Sequence, residues 1–293
     1  MRKRRHRTRA ACAVVAAAVL TIAGCSAAGV EAGSGASRLP AAAPPVWNTS
    51  PESIAAVGDS ITRGFDTCMV LTDCPAASWA TGSDASVNSL AVRLLGATGA
   101  AQHSWNFAVT GSRMADLNGQ MKQAVPKKPQ LVTVMAGAND ACRDTLDTMT
   151  TVADFRSGFQ TAMNTLRQAL PKTQVYVASV PDLKRLWSAG RTNALGKQIW
   201  KLGLCPSMLG DADALDAAAT KRRDTVQARV RAYNEVLKEV CAKDLRCRFD
   251  NNAVFDYRFD TKQLSPWDWF HPSRNGQARL AEIAYRTVTA KIP

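Results

Sequence analysis

From Ser53 onward the chain alternates short apolar runs with longer segments whose apolar positions recur every three or four residues. The runs "SIAAVGDS", "SWNFAV", "QLVTVMAGA", "TQVYVASV" and "RCRFD" have the length and pattern of strands. Between them, "VNSLAVRLLG" has helical spacing up to Gly96, and "MADLNGQMKQAV" follows the second strand as a further helix. A long helix is expected over about Val152 to Leu170, stopped by Pro171. Val226, Val230, Tyr233, Leu237 and Val240 share one face of a helix over about Thr225 to Cys241. The last helix covers "NGQARLAEIAYRTV", with Leu280, Ile283, Ala284 and Val288 inward. This β–α alternation implies a three-layer α/β/α sandwich with a mainly parallel five-stranded sheet. In such sheets ligands bind beyond the carboxyl ends of the strands. Ser60, Gly111 and Asn139 each fall just after a predicted strand, so three separate segments converge on one edge.

The first fifty residues follow another pattern. Arg2, Lys3, Arg4, Arg5, Arg7 and Arg9 precede an apolar run from Ala10 to Ala23, which is too short for an ordinary membrane-spanning helix. Residues 1–24 therefore read as a signal peptide. It ends in Ile22-Ala23-Gly24-Cys25, which resembles the lipobox of bacterial lipoproteins and implies lipidation of Cys25. An ordinary cleavage site with a nearby cysteine is the competing reading. Residues 25–50 are rich in Ala, Gly, Ser and Pro and read as a flexible tether, leaving residues 51–293 as the folded domain. The leader also changes the meaning of the net charge. Of +13, six positive charges lie before residue 10, and no basic stripe interleaved with aromatics follows, so nucleic-acid binding is not expected.

Export makes the cysteines informative. Cys12 goes with the leader and Cys25 with the lipid, leaving Cys68, Cys74, Cys142, Cys205, Cys241 and Cys247. An even number in an exported chain implies disulfides, although six cysteines allow fifteen pairings. Local spacing favours Cys68–Cys74 and Cys241–Cys247, which leaves Cys142–Cys205. Zinc is the competitor, but the close pairs are spaced C-x5-C and the only histidines beyond the leader are His103 and His271. No metal is expected.

A nucleophilic serine needs a base within hydrogen-bond reach. His103 has no acidic neighbour in sequence. His271 lies in "SPWDWFHPSRNG", three residues after Asp268, a spacing that lets the carboxylate hold one imidazole nitrogen while the other faces Ser60. An oxyanion needs preorganised donors, and the backbone N–H groups of Ser60 and Gly111 and the side-chain amide of Asn139 are the candidates.

These segments resemble the signature blocks of the SGNH hydrolases, or GDSL-type esterases and lipases. Gly58-Asp59-Ser60 matches the first block, Gly111 the second, Gly137-Ala138-Asn139-Asp140 the third, and Asp268-Trp269-Phe270-His271 the D-x-x-H block. They occur in family order over nearly the whole mature chain. A looser likeness to the phospholipase B-like branch rests on "SWATGSD", Cys142 and Cys205-Pro206. The rival α/β-hydrolase elbow, G-x-S-x-G, is excluded because Thr62 stands two residues after Ser60.

The resemblance implies a flavodoxin-like fold and a serine esterase or lipase that needs no cofactor. Ser60 would be the nucleophile, His271 the base, Asp268 its orienter, and Ser60, Gly111 and Asn139 the oxyanion donors. The expected enzyme is monomeric and acts on a lipid or small acyl ester. It would be exported, and either anchored by its lipid to the outer face of the bacterial cytoplasmic membrane or secreted. Deacetylation of a polysaccharide is the alternative within the family, and a non-catalytic envelope-binding lipoprotein is the alternative outside it. Leu183 to Arg223 carries no motif, and its apolar residues could form either an acyl-chain lid or a satellite core.

Overall fold

The computed structural model describes residues 46–291. The expected signal peptide, Cys25 and most of the expected tether lie outside the described residues. Strands β1 (Ile54–Gly58), β2 (Ser104–Asn106), β3 (Leu131–Met135), β4 (Gln174–Val177) and β5 (Cys247–Phe249) form one parallel sheet in the order β2-β1-β3-β4-β5. Every residue of β1, β3 and β4 is buried, as apolar runs flanked on both sides by helices require. The residue types also fit their places. Small Ala55 and Ala56 pair with Val132 and Thr133 of β3, and Gly58 pairs with Met135. At Gly58 any side chain would meet a wall, because a Cβ there would stand 2.2 Å from the Met135 carbonyl oxygen.

The helices are α1 (Ser60–Arg63), α2 (Leu90–His103), α3 (Leu117–Ala124), α4 (Ala138–Ala141), α5 (Val152–Ala169) and α6 (Leu183–Gly190). After them come α7 (Ala194–Trp200), α8 (Pro206–Leu209), α9 (Ala217–Cys241), α10 (Ala253–Asp256) and α11 (Arg274–Thr289). Helices α3, α5 and α9 pack in sequence against one another, while α2 packs on α11. Phe155 of α5 stacks on Tyr233 of α9 with ring centroids 4.1 Å apart. The caps are those expected of the residue types: Ser89, Thr151, Asp182, Asn193, Asp216 and Ser273 each accept a backbone N–H of the first turn.

The structure departs from the sequence reading in three places and decides between its two readings at a fourth. The helix expected to end at Gly96 breaks there and resumes, so that α2 runs on to His103 across the kink. Helix α9 starts at Ala217 rather than near Thr225, because Asp216 caps it. The tether reading of residues 25–50 is corrected at its end. Trp47 donates its indole N–H to the Val288 carbonyl at 2.8 Å and lies under the Arg248 guanidinium, and Asn48 bonds Gln174. Finally, residues 183–223 settle as a satellite core. Leu186, Trp187, Trp200, Met208 and Leu209 are buried, while Leu195, Leu202 and Leu215 are exposed.

The disulfides are Cys68–Cys74, Cys142–Cys205 and Cys241–Cys247, the pairing local spacing favours. They differ in span. Cys142–Cys205 closes 63 residues and ties the segment after α4 to α8, whereas the other two each close six. In the chain-entropy picture the long bridge contributes about 4 kcal/mol and each short one about 2 kcal/mol. A Cys142→Ser/Cys205→Ser double variant is therefore expected to lose roughly twice the urea-unfolding free energy lost by Cys241→Ser/Cys247→Ser. Equal losses would show that strain or residual structure, not loop length, governs these bridges.

Candidate active site

Ser60 opens α1 immediately beyond β1. Asp59 caps that turn by accepting the Ile61 N–H at 3.0 Å, which fixes the direction in which the serine leaves the strand. Because β1 lies between β2 and β3, the segments that follow these three strands are neighbours. They carry Ser60, Gly111 and Asn139 respectively.

Asp268 and His271 come from the loop before α11. A bridge between Leu264 and Pro272 closes its neck, Ser265 N–H donates to the His271 carbonyl at 2.7 Å, and Trp269 N–H donates to the Ser265 carbonyl at 2.9 Å. Trp269 adopts φ +55°, a left-handed conformation that costs about 1–3 kcal/mol for a residue with a side chain. The surrounding packing holds it there. Its ring sits on Gly196 of α7, where an added Cβ would be 2.9 Å from the indole. The buried indole N–H of Trp200 donates to the Asp268 carbonyl at 2.7 Å. The motif-free excursion of residues 183–223 is thus a brace for this loop.

The imidazole of His271 joins the two halves. Its Nε2 is 2.8 Å from Ser60 Oγ, and its Nδ1 bonds Asp268 Oδ2. Since an ionised carboxylate only accepts, Nδ1 carries the proton and Nε2 accepts from the serine hydroxyl. The other oxygen of Asp268 accepts the backbone N–H groups of Phe270 and His271, each at 2.9 Å. All three side chains are buried, and Phe65 and Phe270 flank the imidazole with centroids at 5.0 and 5.4 Å. Burial pushes the imidazolium of His271 toward losing its proton. The charge and hydrogen bond of Asp268, with the charges of Asp66 and Asp59, outweigh burial and raise His271 above the usual histidine value. For Asp268, burial acts to raise the carboxyl, but the His271 charge and the three N–H donors hold it below the usual carboxylate range. Asp59 is fully buried with one carboxyl oxygen unpartnered, and burial pushes it up to about 7.

The candidate oxyanion donors sit in the two adjoining segments. Asn139 Nδ2 donates to the Ser112 carbonyl at 3.0 Å, which uses one of its two amide hydrogens and orients the other. Gly111 is exposed in the turn closed by Ser112 N–H to Val109 C=O and takes φ +83°, open to glycine without penalty. Neither residue hydrogen-bonds Ser60 among the described residues. His103 lies apart, exposed at the end of α2.

Sequence reasoning missed Trp200 and Asp66. Asp66 lies close to Asp268 and His271, and the three offer ligand atoms within 4.8 Å of one another. A metal bound there would have to displace the Asp268–His271 bond. No local signal marks either residue, since each acts only through contacts distant in sequence.

The profile of the GDSL-like lipase/acylhydrolase family matches residues 54–284. No curated protein matches the sequence. Solved structures similar to this chain include an acetylxylan esterase from Geobacillus stearothermophilus, at 16% identity over 84% of this chain and 96% of that one, with a TM-score of 0.48. An extracellular lipase from Streptomyces rimosus is 18% identical over 81% of this chain and 99% of its own, TM-score 0.46. A phospholipase A1 from Streptomyces albidoflavus NA297 is 19% identical over the same shares, TM-score 0.46.

The electrostatics give a pH expectation. If neutral His271 is the working form, kcat/KM falls as it protonates, and its raised value puts the midpoint of that acid limb above about 6.5. A kcat/KM profile on a soluble ester checks this, and a midpoint below 6.5 would contradict the balance of charges described.

Proposed function

Because the chain belongs to the GDSL-like lipase/acylhydrolase family, whose profile spans residues 54–284, and is a carboxylic-ester hydrolase, we propose that it acts through an acyl-enzyme on Ser60. One observation carries this reading: Ser60 Oγ stands 2.8 Å from an imidazole whose far nitrogen is held by a buried carboxylate. Ser60 Oγ attacks the ester carbonyl carbon while its proton passes to His271 Nε2. Asp268 stabilises the imidazolium as it forms. The negative charge arising on the carbonyl oxygen is met by Ser60 N–H, Gly111 N–H and the free amide hydrogen of Asn139. Collapse of the tetrahedral intermediate breaks the bond to the alcohol, which leaves with the proton from Nε2. A water molecule, deprotonated by the same nitrogen, then attacks the acyl carbon, and the carboxylic acid departs with Ser60 restored.

The surroundings favour an apolar acyl group over the acetyl group of a polysaccharide. Three of the four segments that carry the site also carry exposed apolar side chains: Met69, Val70 and Leu71 in the Cys68–Cys74 loop, Val109 beside the Gly111 turn, and Trp267 next to Asp268. Behind His271, Ile61, Leu183, Leu186, Phe259, Leu264 and Phe270 pack as buried core, so an acyl chain would lie along the exposed apolar residues instead. Three disulfides support a site of action outside the cytoplasm, and no helix among the described residues is long and apolar enough to cross a membrane. Attachment through a lipid on Cys25 is part of the same proposal, supported by the lipobox-like sequence.

Two measurements test the reading. Across p-nitrophenyl esters, kcat/KM should rise from acetate to medium-chain acyl groups and exceed the rate on acetylated xylan. The reverse order would favour the deacetylase. In Asn139→Ala, kcat should fall about 10²–10³-fold with a much smaller change in KM, because the lost donor matters chiefly once charge develops. A folded Asn139→Ala enzyme with near-normal kcat would remove the amide from the oxyanion site.

A further inference from the structure

Asp66 is a buried carboxyl that the catalytic scheme does not use. It stands on the segment after α1 with φ +55°, and its backbone groups and one carboxyl oxygen are tied. Its N–H donates to the Thr72 carbonyl at 3.0 Å, and its own carbonyl accepts the Ser265 hydroxyl at 2.6 Å. One carboxyl oxygen accepts the Leu71 N–H. The adjacent Thr67 hydroxyl donates to the Pro272 carbonyl at 3.0 Å, and Cys68–Cys74 closes the loop just beyond. The loop is thereby fastened to both ends of the segment that carries Asp268 and His271, and the Asp66 carboxyl is brought to within 4.8 Å of both.

Two buried carboxyls at this distance do not both ionise freely, so a proton is held more tightly at one of them. The donor sets decide where. Asp268 receives three N–H bonds and the imidazole charge, while Asp66 receives one backbone N–H. That place is Asp66, the less well supplied carboxyl, which when protonated has Asp268 within 4.8 Å as a candidate acceptor.

We propose that Asp66 is a positioning residue of the ester-hydrolysis site, its carboxyl fixing Asp268 from behind and setting the basicity of His271. The proposal rests on the reading of His271 as the base. With its proton, Asp66 donates to Asp268 and draws electron density from the carboxylate that supports the imidazole. Without it, a second negative charge faces His271 and favours the imidazolium. Burial, followed by the hydrogen bond and charge of Asp268, pushes Asp66 up to about 6, so both forms lie within the range where histidine titrates. The other charges around this cluster are few. Asp59 faces His271 from β1's end, Arg63 is paired with Asp73 at 3.0 Å, and Arg274 with Asp84 at 2.9 Å.

The test is the kcat/KM profile of Asp66→Asn and Asp66→Ala against the unaltered enzyme on p-nitrophenyl butyrate. Asparagine keeps an acceptor for Leu71 and a donor for Asp268 but can never carry charge. Its acid limb should move to lower pH by about 0.5–1 unit. Alanine removes the donor as well, so its limb should shift and its plateau kcat should fall below that of the asparagine variant. A purely structural role would leave the asparagine limb superposed on that of the unaltered enzyme, and this result would overturn the proposal. Absence of any acid limb in the unaltered enzyme would instead overturn the reading of His271 as base, and this proposal with it. A carboxyl 13C NMR titration of the unaltered protein is independent of how the variants fold. Asp66 should titrate near pH 6 with a matching response at His271, and an Asp66 that is fully ionised down to pH 4 would contradict the assignment.

Discussion

A carboxylate buried in a protein must be met by donors within reach, and Asp268 is such a carboxylate. An unpaired charge at that depth would cost several kcal/mol or give itself up by protonation. The local loop supplies two backbone N–H groups and the imidazole of His271, and these are what keep Asp268 ionised. Their supply dictates the loop's shape. The backbone must double back within three residues, Trp269 must enter the left-handed region, and something outside the loop must hold it there. Trp200 and Gly196 do so from one side, and the Asp66–Thr67 segment does so from the other.

The Ser60 half of the candidate site depends on a different constraint, the order of the sheet. With β1 flanked by β2 and β3, three consecutive strand ends deliver their residues side by side. The glycine at the end of β1 allows the backbone of β3 to approach closely, and the turn that follows is capped by Asp59 before Ser60 is reached. Ser60 and His271 are 211 residues apart in sequence, and their side chains meet in one hydrogen bond. Two of the disulfides brace this meeting. Cys142–Cys205 holds the segment after Asn139, and Cys68–Cys74 closes the loop that presents Asp66.

The strands, the long helices and the candidate residues Ser60, Asp268 and His271 were legible because each depends on local information. A run such as "QLVTVMAGA" buries itself in the centre of a sheet wherever that sheet stands, and D-x-x-H places a carboxylate beside an imidazole through the loop's own geometry. Other features depend on partners that sequence does not bring together. The role of Trp200 requires the backbone of Asp268, 68 residues on, and Asp66 requires the same loop from some two hundred residues away. The docking of Trp47 likewise depends on Val288 and Arg248, so composition alone marked it as tether. The excursion between β4 and α9 was ambiguous for a related reason. Its apolar residues suit a lid and a core equally, and only their burial against the catalytic loop distinguishes the two.

The central claim is that Ser60 is the group made nucleophilic by His271 and Asp268. Intact-mass analysis after brief exposure to a fluorophosphonate measures this directly, because the reagent reports nucleophilicity at a serine without depending on the choice of ester. The account predicts one adduct per chain, located on Ser60 by peptide mapping, with its rate sharply reduced in folded His271→Ala. An adduct on a different serine, or labelling of Ser60 at an unchanged rate without His271, would contradict it.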